Sequence, residues 1–114
     1  MNVEELRYYC LSLDDAIEEK FPFQKFHGGE DILAMYIHGH VFVYFDINNL
    51  AHVTMKCQSD KISELIEHYP FIDKPYNGNP KYWISVDATR ADDDLLKRLI
   101  DGSFRLVSSS HPVK

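Results

Sequence analysis

Ile32-Leu33-Ala34-Met35-Tyr36-Ile37-His38-Gly39-His40-Val41-Phe42-Val43-Tyr44-Phe45 is the stretch whose reading decides the fold. Two runs rich in β-branched and aromatic side chains flank His38-Gly39-His40, and a short glycine-containing turn between such runs predicts a β-hairpin. Both runs stay apolar at successive positions, so both faces need cover and the strands belong in the middle of a sheet. Asp46-Ile47-Asn48-Asn49-Leu50 supplies the next turn. Beyond it Ala51, Val53, Met55 and Cys57 alternate with His52, Thr54 and Lys56, which predicts a third strand with one core face and one polar face.

Working outward, Asn2 is placed to cap a helix, with Glu5 three residues on to reach back. Val3, Leu6, Cys10 and Leu13 then share one helical face. Asp14-Asp15 ends that helix, Ala16 to Phe21 reads as a short edge strand stopped by Pro22, and Gln24 to Asp31 with Gly28-Gly29 reads as a loop. On the other side Ser59 or Asp60 begins a second helix bearing Ile62, Leu65, Ile66 and Tyr69, closed by Pro70. Phe71 to Lys74 is a short extended piece. Tyr82, Ile84 and Val86 alternate with Lys81, Trp83, Ser85 and Asp87, a fourth strand whose Tyr82 parity sends to the core. Asp92, Asp93 and Asp94 open a long helix where negative charge suits the macrodipole. Its buried stripe is Leu95, Leu96, Leu99, Ile100, Ser103, Phe104 and Val107, and residues 108–114 read as a frayed tail. This order of elements predicts a two-layer α+β sandwich with helices on one face of an antiparallel sheet.

The bulk properties narrow the function. The chain of 114 residues is sized for one domain, 1–114, and 45% hydrophobic residues are ample for one core. No apolar run approaches the ~18 residues of a membrane span, and Met1-Asn2-Val3-Glu4-Glu5 is acidic where an export signal is basic, so the chain reads as cytoplasmic and without a membrane partner. Cys10 and Cys57 read as buried free thiols. The net charge is −6. Up to Asp31 there are eight acids against three bases, and the remainder holds ten acids and nine bases. That balance argues against a general nucleic-acid binder, whose affinity comes largely from displaced phosphate counterions.

Pro75-Tyr76-Asn77-Gly78-Asn79-Pro80-Lys81-Tyr82-Trp83 is the stretch most suggestive of function. It packs two prolines, a glycine, two tyrosines and the only tryptophan into one turn and the strand behind it. If His52, Thr54 and Lys56 share a sheet face with Lys81, Trp83 and Ser85, a Lys/Trp/His surface results beside this loop. Bases stacking on an aromatic with lysines on phosphates would use it, and so would a protein partner anchored on Trp and Tyr. The plain structural alternative is that Trp83 covers a core edge and the lysines only solvate the sheet.

Leu11-Ser12-Leu13, Phe21-Pro22-Phe23, Lys56-Cys57, Tyr69-Pro70, Pro75-Tyr76, Asn79-x-Lys81-x-Trp83 and the Asp-x-Leu-x-x-x-Leu-Ile-Asp-x-Ser-Phe helix from Asp93 fall in one order and spacing. In these the chain resembles the YjbR/MmcQ-like proteins over nearly its whole length. The resemblance implies a fold like that of secretion chaperones and CyaY, with a curved antiparallel sheet backed by helices. It also implies the DNA-binding label that family carries, a label that rests on fold analogy with double-wing domains. The family pattern has His and Met before the Asn and further Lys and His between the shared positions. Here Asn77, Gly78, Pro80 and Tyr82 stand there, which lowers the local positive charge.

Other constellations carry less. His38-Gly39-His40 has the His-x-His spacing of a metal pair, but the hairpin turn and the lack of a third ligand favour solvated turn histidines. Strand alternation turns Cys57 inward, away from Lys56. Asp14-Asp15, Glu18-Glu19 and Glu30-Asp31 read as a solvated acidic surface, although CyaY-like proteins bind iron through an acidic ridge. There is no Ser/His/Asp order, P-loop or dinucleotide fingerprint, so no catalytic residue, metal or cofactor is expected. The expectation is a non-enzymatic binding module working through Lys56, Tyr76, Asn79, Lys81 and Trp83. DNA is the partner that resemblance suggests and a protein partner is the alternative. A small-molecule binder or an enzyme ranks lower.

Overall fold

The computed structural model describes residues 1–111. Helix α1 (Val3–Ser12) leads to strands β1 (Glu18–Lys20), β2 (Ile32–Ile37), β3 (His40–Asp46) and β4 (Asn49–Lys56). Helix α2 (Ser59–His68), strands β5 (Ile72–Asp73) and β6 (Trp83–Val86) and helix α3 (Asp93–Ser110) follow. The six strands form one antiparallel sheet in the order β1-β2-β3-β4-β6-β5. This is the two-layer α+β arrangement expected.

The central hairpin forms as its sequence demands. His38 and Gly39 both take positive φ, 52° and 81°, the pair of left-handed residues that lets a two-residue turn follow the twist of its strands. Leu33, Ala34, Met35, Ile37, Phe42, Val43 and Phe45 are all buried, so the hairpin lies in the middle of the sheet. A bulge between Met35 and Tyr36 resets the register, so that Met35 faces Val43 and Tyr36 faces Val41.

One core lies between the sheet and the helices. Leu6 and Cys10 of α1, Ile62 of α2 and Leu96, Ile100 and Val107 of α3 meet Met35, Phe42, Val43, Met55 and Ile84. The Asn2 capping box forms in full, with Asn2 Oδ1 accepting from the Glu5 N–H at 2.8 Å. Asp92 caps α3 by accepting from the Leu95 N–H at 2.8 Å. For α2 the capping residue is Gln58, whose side chain makes no cap bond, rather than Ser59 or Asp60. Ser103 is the polar residue at the centre of the α3 stripe. Its hydroxyl donates to the Phe42 carbonyl at 2.5 Å and accepts from the Lys56 N–H at 2.9 Å. Those two groups sit one step beyond the Val43–Met55 pair, so Ser103 bridges β3 to β4 where they part.

Two expectations need correction. Residues 108–110 are helical rather than frayed: α3 continues to Ser110, where the hairpin turn meets its end. His38 Nδ1 lies 2.6 Å from the His111 carbonyl, and the His40 and His111 rings stack at 3.5 Å. The tail expectation for residues 112–114 lies outside the described residues. Tyr82 does not enter the core but is 41% exposed. A turn in which both the Tyr82 and Trp83 N–H groups bond to the Asn79 carbonyl delays the strand until Trp83, so alternation does not extend back to Tyr82. Among the described residues no helix is long and apolar enough to cross a membrane.

Candidate functional site

The sheet face away from the helices is set by register. Ala34 pairs with Tyr44, Tyr44 with Thr54, and Thr54 with Ser85, one row across four strands. This face was expected to be open and polar, yet Thr54 and Ser85 are each only 4% exposed. The Pro75–Tyr82 loop folds over it. The Tyr44 hydroxyl donates to the Asn77 carbonyl at 2.6 Å and holds the loop down. Gly78 takes φ 118°, a conformation that L side chains rarely adopt. A Cβ at Gly78 would meet the Tyr44 hydroxyl at 3.5 Å and Trp83 Cγ at 3.8 Å, ordinary contacts, so the backbone conformation rather than space calls for the glycine.

Between this loop and the one after β1 lies a groove of about 320 Å³. Pro22 and Phe23 form one wall and Asn77 and Gly78 the other, with Ala34, Val41, Tyr44 and Trp83 as the floor. Tyr44 and Trp83 sit with ring centroids 6.0 Å apart. Tyr44 is the one titratable side chain in the lining, and burial pushes its phenol up, slightly offset by a hydrogen bond with Thr54. Phe23 of the lining carries Phe26 edge-on at 6.4 Å, and the two segments flanking the groove hold further exposed aromatics. Phe26 is 65% and Tyr76 90% accessible, with Phe21, Phe23 and Tyr82 also exposed.

The five candidate residues do not form one surface. Trp83 is in the groove floor. Tyr76 projects from the loop, tilted against His52 at 6.2 Å. Asn79 shapes the turn, its Oδ1 accepting from the Lys81 N–H at 3.0 Å. Lys81 is exposed with its ammonium 5.6 Å from the centre of the Tyr82 ring. Lys56, although the register partner of Trp83, lines a separate cleft between α2 and α3.

The other groups settle into structural roles. Cys10 is fully buried and burial pushes its thiol up to about 12. Cys57, expected in the core, is half-buried beside α2, its thiol raised by burial and opposed by the nearby Lys61. Arg7 makes a two-pronged contact with Glu19, which ties α1 to β1. Tyr9 donates to Asp101 at 2.5 Å and joins α1 to α3, with burial first and Asp101 second raising its phenol to about 12. Among the described residues no cluster of three His, Cys, Asp or Glu side chains is placed to hold a metal ion.

Sequence reasoning missed the groove's second wall. Phe23, which lines it, and Phe26, packed edge-on against Phe23, lie with Phe21 in a segment read simply as strand end and loop. Their signal was present as Phe-x-Phe-x-x-Phe ahead of Gly28-Gly29, three large apolar residues where a solvated loop needs none.

A family model described as YjbR matches residues 11–106. The chain belongs to the YjbR family. Among solved structures it is similar to the Deinococcus radiodurans protein DR2400, which carries a DUF419 domain, at 26% identity and a TM-score of 0.84, covering 99% of this chain and 83% of that one. A Pseudomonas syringae protein shares the fold at 20% identity and a TM-score of 0.78, covering 94% of this chain and 99% of that one. No curated protein matches the sequence.

Proposed function

We propose that this YjbR-family chain is a non-enzymatic binding module whose groove between the Pro22–Phe26 and Pro75–Tyr82 segments takes apolar side chains from an extended stretch of a protein partner. The observation that carries this reading is the groove's lining: a floor of Ala34, Val41, Tyr44 and Trp83 that offers apolar contact and no charge. Exposed aromatics around such a groove are the anchors from which protein interfaces draw most of their affinity. The fold and the family name fix neither ligand nor reaction.

DNA is the second reading. It rests on Tyr76, 90% exposed on the loop, and on Lys81, whose ammonium lies 5.6 Å from the centre of the Tyr82 ring, groups suited to stacking a base and meeting a phosphate. Against it stand the net charge of −6 and the pairing of another lysine on this side, Lys20, with Glu18 at 3.6 Å.

The test is selection of linear peptides from a display library, followed by titration of each synthesised peptide while Trp83 emission is read. The expected result is enrichment of peptides with spaced aromatic or aliphatic residues, a change in Trp83 emission on binding, and loss of binding in Phe23→Ala. Phe23 is 43% exposed, so this variant keeps the fold. Enrichment of no apolar pattern, or binding indifferent to Phe23→Ala, would remove the groove from the account.

A further inference from the structure

On the helix side of the sheet a second cavity, of about 540 Å³, opens between α2 and α3. Its volume lies in the range of small-molecule sites. Four cationic residues contribute to its lining, Lys56, Lys61, Arg98 and Arg105, and no Asp or Glu does. In a chain with 18 acids and 12 Lys and Arg residues, a carboxylate-free cleft with four bases runs against the overall composition. Among the described residues none of the four has a carboxylate within ion-pair distance. Of the acids nearby, Asp92 caps α3, Asp93 meets the N-terminus and Asp101 meets Tyr9, while Asp94, one turn before Arg98, and Asp60, in the first turn of α2, are exposed and lie outside the lining.

Two backbone features add to this charge. Arg98 and Arg105 are seven residues apart, on one face of α3, and Gly102 stands between them. A Cβ at Gly102 would meet nothing within 4 Å, so no packing contact demands the glycine, although it costs the helix roughly 1 kcal/mol relative to alanine. What it leaves is open space against the helix backbone between the Arg98 and Arg105 positions. Opposite, the N-terminus of α2 reaches the cleft through Gln58 and Lys61, and its first turn has no side-chain cap. Uncapped N–H groups at the positive end of a helix dipole favour an anion. Planar guanidinium forks suit phosphate oxygens in pairs.

From this geometry we infer that the α2–α3 cleft is a binding site for a small phosphorylated molecule. Its phosphate groups lie between the start of α2 and the Arg98/Arg105 face, and Lys56 and Lys61 balance the remaining charge. The site is separate from the apolar groove, which lies on the opposite sheet face, and each can stand without the other.

The experiment is calorimetric titration and thermal denaturation of the full chain at low salt with inorganic phosphate, pyrophosphate and ADP, each to millimolar concentration. Pyrophosphate and ADP are expected to bind more tightly than phosphate and to raise Tm, since a ligand held only by the folded state stabilises it. Loss of a charge-assisted contact predicts affinity at least about tenfold weaker in Arg98→Gln and in Arg105→Gln, both at exposed positions. Gln58→Asp separates binding from folding. It supplies the missing cap to α2 and raises Tm without ligand, yet it sets a carboxylate in the cleft and weakens ADP. No binding by any of the three probes would overturn the assignment, and so would binding unchanged in all three variants. A response to a long oligonucleotide or an acidic peptide without one to pyrophosphate or ADP would also overturn it.

Discussion

Ser103→Ala tests whether α3 is fastened to the sheet by a single hydroxyl. In the wild-type chain that oxygen donates to Phe42 and accepts from Lys56, and Ser103 is 1% exposed, so water cannot replace it. The alanine removes one partner from a buried carbonyl and one from a strand-end N–H. The buried carbonyl left without its partner costs about 1–3 kcal/mol and the part-buried Lys56 N–H about 1 more, so the pair gives roughly 2–4 kcal/mol, toward the low end if β3 and β4 close to bond each other directly. At the usual unfolding entropy per residue, this chain loses ~4 °C of Tm per kcal/mol, which predicts a fall of about 8–16 °C. Denaturant unfolding followed by Trp83 emission gives the free energy, and amide exchange reports the Lys56 N–H directly. A loss below about 0.5 kcal/mol, the range of an ordinary surface substitution, with the Lys56 amide as protected as before, would refute the bridge.

Asp92→Ala removes the α3 cap and is expected to cost about 1 kcal/mol, read by denaturant unfolding; an unchanged midpoint would mean the helix end is held by other contacts. The grip on His111 is pH-dependent. Burial foremost, then the charges of His40, Lys56 and His38, hold the His111 pKa below its usual 6.5. The folded chain therefore binds this proton more weakly than the unfolded chain, so the contribution is complete above about pH 6.5 and is lost as pH falls through the folded value. Thermal denaturation from neutral to mildly acidic pH should show a steeper loss for wild type than for His111→Phe, which keeps a ring to stack; equal slopes would count against it. A thiol reagent should modify Cys57 in the native chain and leave Cys10 untouched until unfolding, since Cys10 is inaccessible with its pKa pushed to about 12.

The hairpin, the helix stripes and the acidic start of α3 were legible because each depends on local periodicity and local caps. Strand parity failed at Tyr82, where Asn79 closes a turn that alternation cannot register. It also failed to reveal that Thr54 and Ser85 are buried, because what covers them is a loop some twenty residues distant from Thr54 in sequence. Alternation puts Trp83 on the face away from the helices, where it lies in the groove floor, but alternation also groups Lys56 with it, and Lys56 lines the cleft. The cleft was not legible at all: Lys56, Lys61, Arg98 and Arg105 come from two helices and a strand end, and only the packing of α2 beside α3 assembles them. Family resemblance supplied the fold in one step and left the ligand open.

The most direct measurement is Trp83 emission titrated in parallel with a selected apolar peptide and with a DNA duplex, at about 50 and about 200 mM salt, an interval over which phosphate-driven binding weakens by orders of magnitude. The groove account predicts a peptide response that is nearly the same at both concentrations and disappears in Phe23→Ala. A silent indole with every peptide, together with a duplex response that vanishes at the higher salt and in Lys81→Glu, would contradict it.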